Sequence, residues 1–88
     1  MNYDREIENM EPHILTYHAE DLGIEGDPAA IPTLFRILRH EDPTVREGAL
    51  AGLSFFIEHQ NVVDKIETIA DSDPDPMIRD IAKDILDI

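Results

Sequence analysis

The chain has no cysteine, which removes disulfides, thiolate metal sites and cysteine nucleophiles together. Bases are scarce. Seven lysines and arginines stand against twenty acids, giving a net charge of −13 over 88 residues. That field has the wrong sign for a phosphate backbone, so direct binding to nucleic acid is not expected. Long apolar runs are also missing. The longest nearly apolar stretch, Ala49 to Ile57, is about half of what a bilayer span needs. The opening residues, Met1-Asn2-Tyr3-Asp4-Arg5-Glu6, lack the basic-then-apolar order of a secretory signal. A soluble, cytoplasmic chain without membrane contact is expected.

Catalytic signatures are absent too. There is no glycine-rich phosphate loop and no nucleophile elbow. The carboxylates would need a pocket that separates their pKa values before they could do acid–base work. Neither enzyme activity nor a cofactor is expected. The four histidines do not suggest a metal site. His13 and His18 are five apart, off the helical same-face spacings of three and four. His40-Glu41-Asp42 offers ligand types, but consecutive side chains rarely converge on one ion. His40 and His59 fall near helix ends, where an imidazole can serve terminal carbonyls.

What the chain does have is a phrase written twice. Asp42-Pro43-Thr44-Val45-Arg46-Glu47-x-Ala49 returns 33 residues later as Asp75-Pro76-Met77-Ile78-Arg79-Asp80-x-Ala82, and Leu53 and Leu86 extend the match. A period of that size means stacked helical hairpins. A chain of this length is small for one conventional core. A solenoid escapes part of that limit because each hairpin buries its apolar face on its neighbour.

Helical periodicity dominates, and no stretch alternates as a strand would. Ile31, Leu34, Phe35 and Leu38 form one stripe, opened by Asp27 and Pro28 and ending near His40. Asp42 and Pro43 start the next helix, with Val45, Ala49, Leu53 and Phe56 inward. Val62, Val63, Ile66, Ile69 and Ala70 make a third stripe, and Asp71-Ser72-Asp73-Pro74 reads as a turn. Asp75 and Pro76 open the last helix, where Ile78, Ala82, Ile85 and Leu86 face inward. Glu11-Pro12-His13-Ile14 matches Asp42-Pro43-Thr44-Val45 at an offset of 31. In that worn copy Leu15 stands where the arginine should be and His18 replaces Ala49. Tyr3, Ile7 and Met10 give a short amphipathic segment before it.

The run Gly26-Asp27-Pro28-Ala29-Ala30-Ile31-Pro32-Thr33-Leu34, followed by Asp42-Pro43-x-Val45-Arg46-x-x-Ala49, resembles a HEAT repeat. It is similar to the short type found in phycobilin lyases and many small bacterial and archaeal proteins. The resemblance implies an all-α fold: a short right-handed α-α superhelix of about three hairpins in one domain spanning 1–88. Residues 1–25 would be a degenerate capping repeat, 26–58 the central repeat and 59–88 the last. It implies a scaffold and says little about the target. Chromophore handling belongs to much longer arrays and does not carry across.

In such repeats the arginine two residues after the helix-opening proline and its neighbour usually pairs with a turn aspartate of an adjacent repeat. Arg46 and Arg79 would then form a structural ladder with Asp42 and Asp75, in preference to binding anions. Second helices normally line the concave side. Alignment puts Thr16, Glu47 and Asp80 in one outward row and Glu20, Ala51 and Asp84 in the next, bordered by Tyr17, Gly48 and Ile81. Tyr17, Glu20, Glu47, Ala51, Asp80 and Asp84 are therefore the candidate partner-binding residues. Gly48, Ala51 and Gly52 can either floor a shallow acidic groove or let helices pack tightly. Phe55 and Phe56 sit about 100° apart on a helix; a widely buried central helix takes both, and the alternative is one exposed contact anchor.

Charge is uneven along the chain. Residues 1–26 carry seven acids and one base, 27–60 five and three, and 61–88 eight and three. Acidic outer repeats can simply keep a short solenoid soluble. The functional expectation is a protein–protein scaffold or adaptor offering its acidic concave face to a basic segment of another protein. The alternative is an acidic mimic of nucleic acid that inhibits a DNA- or RNA-binding protein. The chain itself would be a monomer or a weak homodimer.

Overall fold

Acid–proline pairs punctuate the chain and set its helix starts. The computed structural model describes residues 2–88. Helix α1 spans Tyr3–Ile7 and α2 Pro12–Glu25. A single 3₁₀ turn at Pro28–Ala30 leads into α3, Ile31–Ile37. Helix α4 covers Pro43–Leu53, α5 Gln60–Ser72 and α6 Pro76–Leu86. Asp27, Asp42 and Asp75 each accept the backbone N–H two residues on, at 3.0, 2.9 and 2.8 Å. Each satisfies a donor that proline-opened helices leave without a partner. Glu11, before Pro12, makes no such bond; its carboxylate lies 3.6 Å from His13 Nδ1 instead.

Helix α3 packs on α4 and α5 on α6, while α2, α4 and α6 lie in sequence beside one another. The arrangement is an all-α stack of hairpins, with principal extents of 33 × 26 × 16 Å. Its interior is one continuous apolar cluster running from Tyr3 to Ala82. Leu22, Leu34, Leu50, Leu53, Ile66 and Ile78 are all but fully buried, each contributing about 1.5–3 kcal/mol against its exposed state.

The broadest packing is α2 against α4, and glycine makes it possible. A Cβ on Gly48 would stand 2.5 Å from Thr16 O. One on Gly52 would strike Ala19 O, and one on Gly23 would strike Gly52 O. These obstacles are backbone atoms, so neither helix can yield.

Three local expectations are corrected. Helix α3 stops at Ile37, short of His40, because Arg39 and His40 donate to the carbonyls three residues back and tighten the chain into a turn. Helix α5 continues through Asp71 and Ser72, which were expected in the turn; Ser72 Oγ donates to Thr68 O at 2.7 Å. After Leu53 the chain narrows to a 3₁₀ turn, Ser54–Phe56. Its smaller radius rotates the two phenylalanines apart, leaving Phe56 2% exposed and Phe55 52%. The core takes only one of them.

The first hairpin is held mainly through its neighbour. Tyr3 Oη donates to Asp27 Oδ2 at 2.7 Å, and Thr33 Oγ1 donates to Asp4 Oδ1 at 2.6 Å. The bond to Asp27 is the main reason the Tyr3 phenol is pushed up to about 12. The same bond, helped by the Ala29 N–H, holds the Asp27 carboxyl below its ordinary range. His18 Nε2 is buried without a hydrogen-bond partner, 3.6 Å from Glu6 Oε2.

Candidate functional site

Between the outer faces of α2 and α4 lies a shallow hollow of about 190 Å³. Tyr17, Glu20, Glu47 and Ala51 line it, together with Thr16 and Gly48. Helical spacing explains the gathering: Thr16, Tyr17 and Glu20 share one face of α2, and Glu47, Gly48 and Ala51 one face of α4. Tyr17 is 72% exposed, so its ring stands over the hollow's edge instead of filling the core. Both glutamates are exposed and neither forms an ion pair among the described residues.

Asp80 and Asp84 are exposed on α6 and do not line this hollow. Of the two rows read from the alignment, the α2 and α4 members line this hollow and the α6 members do not. Gly48 and Gly52 are spent on the close approach to α2 described above. Of the small residues thought to floor a groove, Gly52 is fully covered by the protein itself, and only Gly48 and Ala51 border the hollow.

The opposite feature, at the turns between paired helices, is a bonding pattern that recurs. Arg46 Nη1 donates to His40 O and Glu41 O at 2.8 and 3.0 Å, and Arg79 Nη1 donates to Asp73 O at 2.7 Å. Each arginine thus closes its own hairpin's turn. Arg46 also reaches the next hairpin, with Nε 2.9 Å from Asp73 Oδ2 and Nη2 3.1 Å from Asp73 Oδ1. The two side chains are 9% and 3% exposed. The acid in this rung is Asp73, not Asp42 or Asp75 as the ladder expectation had it. Those two carboxylates cap their own helix starts, and neither forms an ion pair among the described residues. Asp73 sits two residues earlier, where Oδ1 can also accept the Asp75 N–H at 2.9 Å.

Of the histidines, His40 accepts the Asp42 N–H on Nδ1 at 3.0 Å. His59 packs edge-on to Phe56, ring centroids 6.1 Å apart. No group of three or more possible metal ligands gathers among the described residues. No helix among them is long and apolar enough to cross a membrane.

A family model for HEAT repeats matches residues 10–86. No curated protein and no solved structure matches the chain.

Proposed function

The chain belongs to the HEAT repeat family, whose hairpin stacks commonly serve as protein-interaction scaffolds and are typically not enzymes, and from that premise we propose that it is a non-enzymatic adaptor. Its acidic face takes a basic segment of another protein. The observation that carries this reading is the hollow in which Tyr17, Glu20, Glu47 and Ala51 meet. An exposed ring beside two unpaired carboxylates suits a lysine- or arginine-rich helix: the ring faces the cationic head, and the acids fix register. Asp80 and Asp84, farther along on α6, extend the negative field to a longer segment. The small volume argues for a surface contact, not for enclosure of a substrate.

The reading as a nucleic-acid mimic rests on net charge alone and needs acids spread over the outer hairpins. One experiment separates the two. The ¹⁵N-labelled chain is titrated with a lysine-rich helical peptide, and NMR shifts are mapped in the native protein and in Glu20→Lys/Glu47→Lys. Shifts centred on Tyr17 and Ala51, lost in that variant, support the adaptor face. Shifts spread over both outer hairpins, unaffected by the variant and erased by moderate salt, would favour the mimic.

A further inference from the structure

A second hollow, of about 440 Å³, opens between the first two hairpins, away from the acidic face. Its origin lies in the repeat register. The turn bond from Arg46 to His40 O is repeated 33 residues later from Arg79 to Asp73 O. The side-chain bond from the Asp42 N–H to His40 Nδ1 is repeated from the Asp75 N–H to Asp73 Oδ1. His40 is therefore the positional counterpart of Asp73. Leu15, at the offset of 31 that aligns Pro12 with Pro43, is the counterpart of Arg46. Where the second and third hairpins are joined by Arg46 and Asp73, the first and second present Leu15 and His40.

Two hollows of similar size thus differ in lining. The one between hairpins two and three, about 410 Å³, contains Arg46 with its own counter-ion Asp73. In the first hollow Ile7, Leu15 and Ile37 are buried, with Met10 half-buried beside them. Around that apolar surface stand Arg36, Arg39 and His40, opposed by Glu8 alone. Neither Arg36 nor Arg39 makes an ion pair among the described residues. Because His40 Nδ1 is occupied as an acceptor, the neutral ring carries its proton on Nε2 and can donate from there.

We propose that this unrunged hollow is a docking site for an acidic segment of a partner protein, one bulky apolar side chain entering between flanking carboxylates. The apolar side chain rests chiefly on half-buried Met10, with only the thin exposed edges of Ile7 and Leu15 beside it. The carboxylates meet the Arg36 and Arg39 guanidinium groups, which can bind them in the two-point geometry that lysine lacks. The sign is opposite to the rest of the molecule. A basic segment on α2 and α4 and an acidic one here can therefore be held together without competing, and the two sites share no lining residue.

The test titrates the ¹⁵N-labelled full chain with a blocked pentapeptide carrying phenylalanine between two pairs of glutamates. Shifts are expected at Met10, Leu15, Ile37 and His40. Replacing the phenylalanine by serine should weaken binding about tenfold, as should Arg36→Ser/Arg39→Ser. Both arginines are exposed, so that variant should keep native helicity by circular dichroism. Leu15→Arg/His40→Asp installs an internal pair like that of the next hollow and should also abolish binding. No shifts at millimolar peptide, or equal affinity in the arginine variant, would overturn the proposal. So would two other results. Shifts at these residues that grow with protein concentration alone would assign the hollow to a second copy. Equal shifts from phenylacetate would assign it to a small anion.

Discussion

Replacing Asp73 by asparagine isolates the one buried ion pair among the described residues. The asparagine oxygen can still accept the Asp75 N–H, so the turn keeps its cap, while Arg46 loses its counter-charge at 2.9 and 3.1 Å. Arg46 would then be a buried cation facing only neutral acceptors, the His40 and Glu41 carbonyls and the asparagine oxygen. Breaking a buried pair on one side costs about 3–5 kcal/mol, against about 0–1 kcal/mol for an exposed pair. With both side chains nearly fully covered, the larger figure applies. Native stability for a chain of this length is about 4–13 kcal/mol, from about 0.05–0.15 kcal/mol per residue. The variant should thus lose about a quarter or more of its stability, and Tm should fall by roughly 15–30 °C. Urea unfolding followed at the helical circular dichroism band measures the loss, repeated in about 0.5 M NaCl. A buried pair is screened little, so the difference should persist. Adding Arg46→Met removes the stranded charge and should recover about 1–2 kcal/mol, a coupling read from the double-mutant cycle. A loss under about 1 kcal/mol for Asp73→Asn, or no coupling, would refute the reasoning.

Two further perturbations test the packing and the anchoring of the first hairpin. Gly52→Ala places a methyl against Ala19 O and the Leu34 side chain; overpacking of this kind costs about 1–3 kcal/mol, visible in the urea midpoint, and an unchanged midpoint would mean that α2 and α4 can separate freely. Tyr3→Phe removes the bond to Asp27 and should change the pH profile of stability at both ends. In the native protein the raised phenol contributes stability below its ordinary 10.0 that is lost as pH rises towards about 12. The lowered Asp27 carboxyl contributes stability above its ordinary 3.8 that is lost as pH falls through its folded value. The variant should lack the alkaline loss and show a weaker acid one, since the Ala29 N–H still lowers Asp27; profiles that run parallel to the native would refute the link.

Much of the architecture was legible in the residues. The doubled Asp-Pro phrase and its 33-residue spacing are local chemistry: proline fixes the first helical turn, aspartate caps it, and apolar spacing chooses the buried face. These act within a few residues of one another and leave their mark on the string. Helical spacing alone groups Tyr17 with Glu20 and Glu47 with Ala51 on the candidate acidic face, whereas Asp80 and Asp84 do not line the same hollow.

Tertiary structure decided what depends on how far apart two helices come to rest. Whether Gly48 and Gly52 floored a groove or seated a neighbour turned on backbone atoms of α2, which spacing does not reveal. The family resemblance pointed Arg46 to Asp42 or Asp75; only the packed register, with both of those committed as caps, brought Asp73 to meet it. The split fate of Phe55 and Phe56 depended on where α4 narrowed into a 3₁₀ turn, which follows from packing rather than propensity. The exchange of Arg and Asp for Leu15 and His40 can be seen in the alignment. That this exchange leaves a hollow bordered by unpaired arginines is a property of the folded stack, where residues 25 apart in the chain become neighbours.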